Sequence, residues 1–140
     1  MATYPILQPV AALLIWSMLV WFWLLITRIP AMRAMKIRLD PSIPPKDLTR
    51  SLPARVRWVA DNYNHLMEQP TLFYAAAVTV ALADPGNGAA LASAWVYVLL
   101  RVAHSLTQTL FNHIMTRFAF FVASSLALIG LIYQAAKAVF

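Results

Sequence analysis

The chain has 140 residues, of which 61% are hydrophobic and only 11% charged. A soluble domain usually carries about 25% charged residues. A chain this short cannot hide so much apolar surface, which excludes a water-soluble globule and points to one integral membrane domain over residues 1–140. With no cysteine there is no disulfide, thiolate metal site or cysteine nucleophile, and three scattered histidines offer no metal ligand set.

The net charge is +6, and eight of the eleven Lys and Arg lie between Arg28 and Arg57. A basic block invites a nucleic-acid reading. In so apolar a chain it reads instead as the positive-inside signal of membrane topology, with no nucleic-acid partner.

Four apolar segments set the expected architecture, an all-α transmembrane four-helix bundle. The first spans about residues 6–27 and holds no charge, with Trp16, Trp21, Phe22 and Trp23 banding its inner half. Its positive charges follow it, which argues against a cleaved signal peptide and for an N-terminus outside. A basic cytoplasmic loop, about 28–57, follows; Pro30, Pro41, Pro44, Pro45 and Pro53 should prevent a continuous helix there. Helix two is expected over about 58–83, then a tight outer turn at Asp84-Pro85-Gly86-Asn87-Gly88, helix three over 89–111 and helix four over 116–138. Both termini then lie outside.

Ionisable groups inside such segments persist only if paired, wet or functional. Asp61, Asn64, His65 and Glu68 share one face of helix two. Tyr97, Arg101, His104 or Ser105, Gln108 and Asn112 form a matching stripe on helix three. At about 1.5 Å per residue, Glu68 and Arg101 lie at the same depth, about 15 Å from the cytoplasmic side. An ion pair between them is expected, since either charge alone in hydrocarbon is costly. With Arg117 at the start of helix four, these residues would line a polar cleft open to the cytoplasm. Arginines bind carboxylates bidentately, carboxylates hold ammonium groups, and an arginine stabilises a thiolate, so a zwitterionic peptide thiol is a suitable ligand. A channel or transporter would call for inverted repeats or paired broken helices, which the sequence lacks.

The segment Asn64-His-Leu-Met-Glu68-Gln-Pro70-Thr-Leu-Phe73-Tyr74, the run Arg101-Val-Ala-His104-Ser and an arginine thirteen residues beyond that histidine carry a resemblance. Over nearly its whole length the chain resembles the MAPEG family, the membrane-associated proteins in eicosanoid and glutathione metabolism, in its bacterial branch. The resemblance implies a homotrimer in a bacterial inner membrane, with glutathione bound as co-substrate between subunits near the cytoplasmic side. It implies a transferase or peroxidase acting on lipophilic electrophiles or lipid hydroperoxides. Arg117 would match the thiol-activating arginine; Asn64, Glu68, Arg101, His104 and Gln108 would fall on glutathione contacts, and Arg57 on a helix-two arginine that touches the peptide. Gln108 stands where the family usually has tyrosine, Phe118 where it often has serine, and the Asn–Glu spacing is four instead of three. The alternative is a non-catalytic lipid-binding or scaffold protein of the same fold.

Overall fold

The computed structural model describes residues 4–140; of the expected domain, residues 1–3 lie outside the described residues. It contains six helices among the described residues: α1 (Leu7–Ala34), α2 (Pro45–Leu48), α3 (Ala54–Met67), α4 (Pro70–Ala83), α5 (Gly88–Leu110) and α6 (Ile114–Val139). Four stretches are long and apolar enough to cross a membrane, α3 and α4 counting as one.

α1 differs from expectation by running straight through Pro30 to Ala34. A proline inside a helix removes one hydrogen bond, and a long helix tolerates that loss. Its 28 residues reach about 42 Å against an apolar layer of about 30 Å, so its last turns project beyond the hydrocarbon. It ends in a Schellman motif, with Lys36 at φ 50°, its N–H on the Arg33 carbonyl and the Ile37 N–H on the Met32 carbonyl. Beyond it, Asp40 accepts hydrogen bonds from the Ser42 hydroxyl and N–H, which hold its carboxyl below the usual range.

The second span is also not the continuous helix expected over 58–83. It starts earlier, at Ala54 after Pro53, and breaks at Glu68–Gln69. Pro70 has no N–H and its ring clashes with the carbonyl four residues back. Gln69 nonetheless keeps helical dihedrals, and Glu68 absorbs the kink at φ −89°, ψ −95°. Thr71 closes the break by bonding the Glu68 carbonyl through both its N–H (3.2 Å) and its hydroxyl (2.7 Å).

α5 is the central helix, packing on α1, α3, α4 and most extensively on α6. Alanines 76, 77, 81, 90 and 94 are buried where helices meet, allowing close approach in the absence of a hydrophobic drive between helices in lipid. Phe73 of α4 stacks on Tyr97 of α5, with centroids 4.7 Å apart. Large apolar side chains such as Ile15, Leu19, Ile26, Leu82, Leu99, Leu126 and Ile129 point outward, as a lipid-facing surface requires.

One hydroxyl ties three helices together. The Ser105 Oγ of α5 accepts from Asn62 Nδ2 of α3 at 2.6 Å and from Trp16 Nε1 of α1 at 3.0 Å. Asn62 and Ser105 are fully buried, so neither finds water as a substitute. Ser105→Ala is therefore expected to leave two interhelical donors unpaired and to cost about 1–2 kcal/mol. Denaturant unfolding in detergent micelles measures this, with Ser124→Ala, whose hydroxyl bonds only within α6, as the mild control.

Candidate functional site

One turn beyond the Ser105 junction, α3, α5 and the start of α6 enclose a polar cavity of about 350 Å³. It is lined by Arg57, Trp58, Asp61, Asn64 and His65 of α3, Glu68 at the break, Gln108 of α5, Asn112 of the α5–α6 connection and Arg117 of α6. The helix-two stripe read from the sequence thus faces it in full. So do five of the seven expected site residues: Arg57, Asn64, Glu68, Gln108 and Arg117.

A second, more apolar cavity of about 380 Å³ shares His65, Glu68 and Arg117 with the first. His104, Ile114, Phe118 and Phe121 complete its lining. Arg117 therefore stands where a polar chamber meets an apolar one, and Phe118 and Phe121 are exposed. The His104 and His65 rings lie 6.2 Å apart across α5 and α3, and His65 Nδ1 is 3.3 Å from Glu68 Oε2.

The orientation of Arg117 is set within a few residues. Asn112 takes a left-handed backbone, φ 50°, which asparagine accepts more readily than most residues. Its N–H bonds the Thr107 carbonyl at 2.7 Å, reversing the chain between α5 and α6. Its side-chain oxygen then accepts from Arg117 Nη1. His113 caps α6 by accepting from the Thr116 N–H. Arg117 Nε remains buried without a hydrogen-bond partner, and so does Gln108 Oε1, on another residue of the same cavity. An unsatisfied donor and an unsatisfied acceptor in one chamber carry a desolvation cost that a hydrogen-bonding ligand would remove.

The expected Glu68–Arg101 ion pair does not form. Glu68 is exposed and its carboxylate bonds only to His65, while Arg101 is buried, its Nε donating to the Tyr97 hydroxyl at 3.1 Å. The Arg101 guanidinium lies over the Tyr97 ring at 5.5 Å and the Phe121 ring at 5.6 Å. Helix geometry explains the divergence. Side chains lean toward their own helix N-terminus, and α3 and α5 run antiparallel, so two residues at equal backbone depth point apart. The Pro70 kink turns Glu68 out further. Arg101 lines neither cavity, and His104 lines only the apolar one.

The model of the MAPEG family matches residues 6–137, nearly the whole chain. The chain belongs to the MAPEG family. It is thereby a multi-pass membrane protein of the glutathione and eicosanoid metabolism type, a family associated with glutathione in general. No curated protein and no solved structure matches it.

Within this MAPEG chain, the stripes expected to line the cleft also supply Asp61, His65 and Asn112, and Trp58 alone among the cavity residues was not expected there. Helical periodicity carried those three, although none of them was matched to a glutathione contact. Trp58 carried no such signal, nor did Phe121, which is one apolar residue among many on α6. Among the described residues no cluster of three His, Asp or Glu can hold a metal ion.

With no bond to Arg101 and only a solvent-exposed contact with His65 to lose, Glu68→Gln should change stability by less than about 0.5 kcal/mol. Tyr97→Phe, which strips a buried partner from Arg101, should cost about 1 kcal/mol. Chemical denaturation of the two variants side by side checks this, and a large loss for Glu68→Gln would restore the ion pair.

Proposed function

We propose that the protein is a glutathione-dependent membrane transferase or peroxidase acting on lipophilic electrophiles or lipid hydroperoxides. The observation that carries this reading is Arg117, with an unpaired Nε, at the junction of a polar and an apolar cavity.

The residues fit the tripeptide. Arg57 offers a bidentate donor to a carboxylate, and Asp61 or Glu68 an acceptor to the ammonium group. Gln108 Oε1 needs a donor, and an amide N–H supplies one. Asn64 adds an adaptable amide at the wall. Gln108 thus takes over, with a shorter side chain, a position that is usually tyrosine in the family. When bound, glutathione supplies a soft sulfur nucleophile.

Arg117 acts on that sulfur in two ways. Its positive charge lowers the thiol pKa, and its Nε–H donates to the thiolate. Asn112 holds Nη1, so the guanidinium is oriented before anything binds. The apolar cavity seats the acceptor against Phe118 and Phe121. The sulfur lone pair forms a bond to an electrophilic carbon while the leaving group departs with its bonding electrons; for a hydroperoxide, an S–O bond forms as O–O breaks, the departing alkoxide takes a proton to become the alcohol, and a second glutathione thiol converts the sulfenic acid to the disulfide and water. His104 borders the acceptor side of the same junction.

In the orientation that fits this reading, the basic loop and the polar mouth face the cytoplasm of a bacterial inner membrane, as the positive-inside bias favours. A homotrimer would close the exposed apolar flanks of the subunits and wall the cavities from the open side.

Saturating glutathione, at roughly 100 times its Kd, should stabilise the detergent-purified protein by about 2.7 kcal/mol. Conjugation to an aryl halide or reduction of a lipid hydroperoxide should be detectable, and Arg117→Ala should lower it at least about 100-fold while abolishing the thiolate absorbance of the complex. Folded wild-type protein that neither turns over any substrate nor responds to glutathione would instead support a non-catalytic lipid-binding member of the fold.

A further inference from the structure

A third cavity, of about 440 Å³, opens beside the polar one, on the side of α3 that meets α1 and α2. Arg28 of α1, Lys46 of α2, Arg50 of the following turn and Arg57 of α3 all line it. Asp61 is its only acidic residue, which leaves an excess of three positive charges. Among the described residues the only ion pair is His65–Glu68, so none of the four cations has a carboxylate partner. Four positive charges converge here on a single carboxylate, an arrangement that an anion stabilises.

The lining also includes apolar side chains, Pro45, Leu52, Val56 and Ala60, with Leu52 buried. The level of the cavity is fixed by α1. Arg28 is the first charge after the uncharged run from Ile6 to Thr27, whose 22 residues rise about 33 Å, the thickness of the hydrocarbon layer. The loop after α1 folds back through α2, which returns Lys46 and Arg50 to that boundary. A lining that combines cations with apolar side chains, at the membrane–water boundary, matches an amphipathic anion.

We propose that this cavity binds the phosphodiester head group of an acidic phospholipid, with the glycerol and first acyl carbons against Leu52 and Val56. Three of its four cations, Arg28, Lys46 and Arg50, lie outside the polar cavity, so they are free to hold an anion while glutathione is bound. Arg57, Asp61 and Asn64 form the shared wall between the two.

The test uses delipidated full-length protein in neutral detergent, titrated with phosphatidylglycerol or phosphatidylcholine and read by melting temperature and by native mass spectrometry of retained lipid. Phosphatidylglycerol should bind about tenfold more tightly than phosphatidylcholine, and Lys46→Ala/Arg50→Ala should weaken it at least about fivefold. Both residues are exposed and neither side chain makes a hydrogen bond, so this variant should fold; Arg28→Gln provides a second. Arg33→Ala/Arg38→Ala removes two equally basic charges outside the cavity and should leave binding within about twofold of wild type, since general surface attraction alone is nonspecific. Equal affinity for the two lipids, an unaffected Lys46→Ala/Arg50→Ala variant or an equal loss in Arg33→Ala/Arg38→Ala would overturn the proposal. So would an equal shift with inorganic phosphate, which would assign the cavity to a soluble anion.

Discussion

The Ser105 hydroxyl is the constraint on which the rest of the arrangement depends. It accepts from Asn62 and Trp16 in a region where no water can replace either bond, so it fixes how α1 and α3 are rotated and shifted against α5. Apolar contacts alone leave that register loose, because lipid tails are as good a partner for leucine as another helix is. Gln108 lies three residues beyond Ser105 and His65 three beyond Asn62, one turn from the junction on each helix. The same rotation that satisfies the serine therefore presents the polar stripes of α3 and α5 to a common cavity.

The break at Glu68 is the second determinant. A straight helix over residues 54–83 would carry Glu68 in line with its stripe at the level of Arg101. Pro70 prevents this, and Glu68 takes up the distortion at ψ −95°. The carboxylate turns toward His65 and solvent, while Arg101 finds aromatic partners in Tyr97 and Phe121. A cation over ring faces with a hydroxyl acceptor is stabilised without a counter-ion. The two charges that look most alike in sequence thus have opposite environments, one wet and one dry.

The broad architecture was legible because hydropathy and charge act over many residues at once. Four apolar helices and the polar stripes follow from periods that no single residue can upset. The Glu68–Arg101 pairing failed because axial depth was counted from Cα positions, whereas side chains on antiparallel helices lean in opposite directions. The passage of α1 through Pro30 was not legible, because a proline in a long membrane helix and one in a loop look the same in sequence. Arg117 was found by its distance from His104, yet nothing in the sequence announced that Asn112 would hold it. That bond exists only because Asn112 adopts φ 50° at the end of α5.

The support around Arg117 is short in sequence. The left-handed turn at Asn112, the bond from Arg117 to its amide oxygen and the His113 cap on α6 all fall within residues 112–117. Gln108, elsewhere in the lining, sits one turn from Ser105, whose bonds to Asn62 and Trp16 reach α3 and α1. The two parts of one cavity are therefore built on different scales, one a six-residue cassette and the other a product of the whole bundle. A loop graft carrying 112–117 would transplant the guanidinium with its own orientation, while the Gln108 amide could be moved only with the fold that surrounds it.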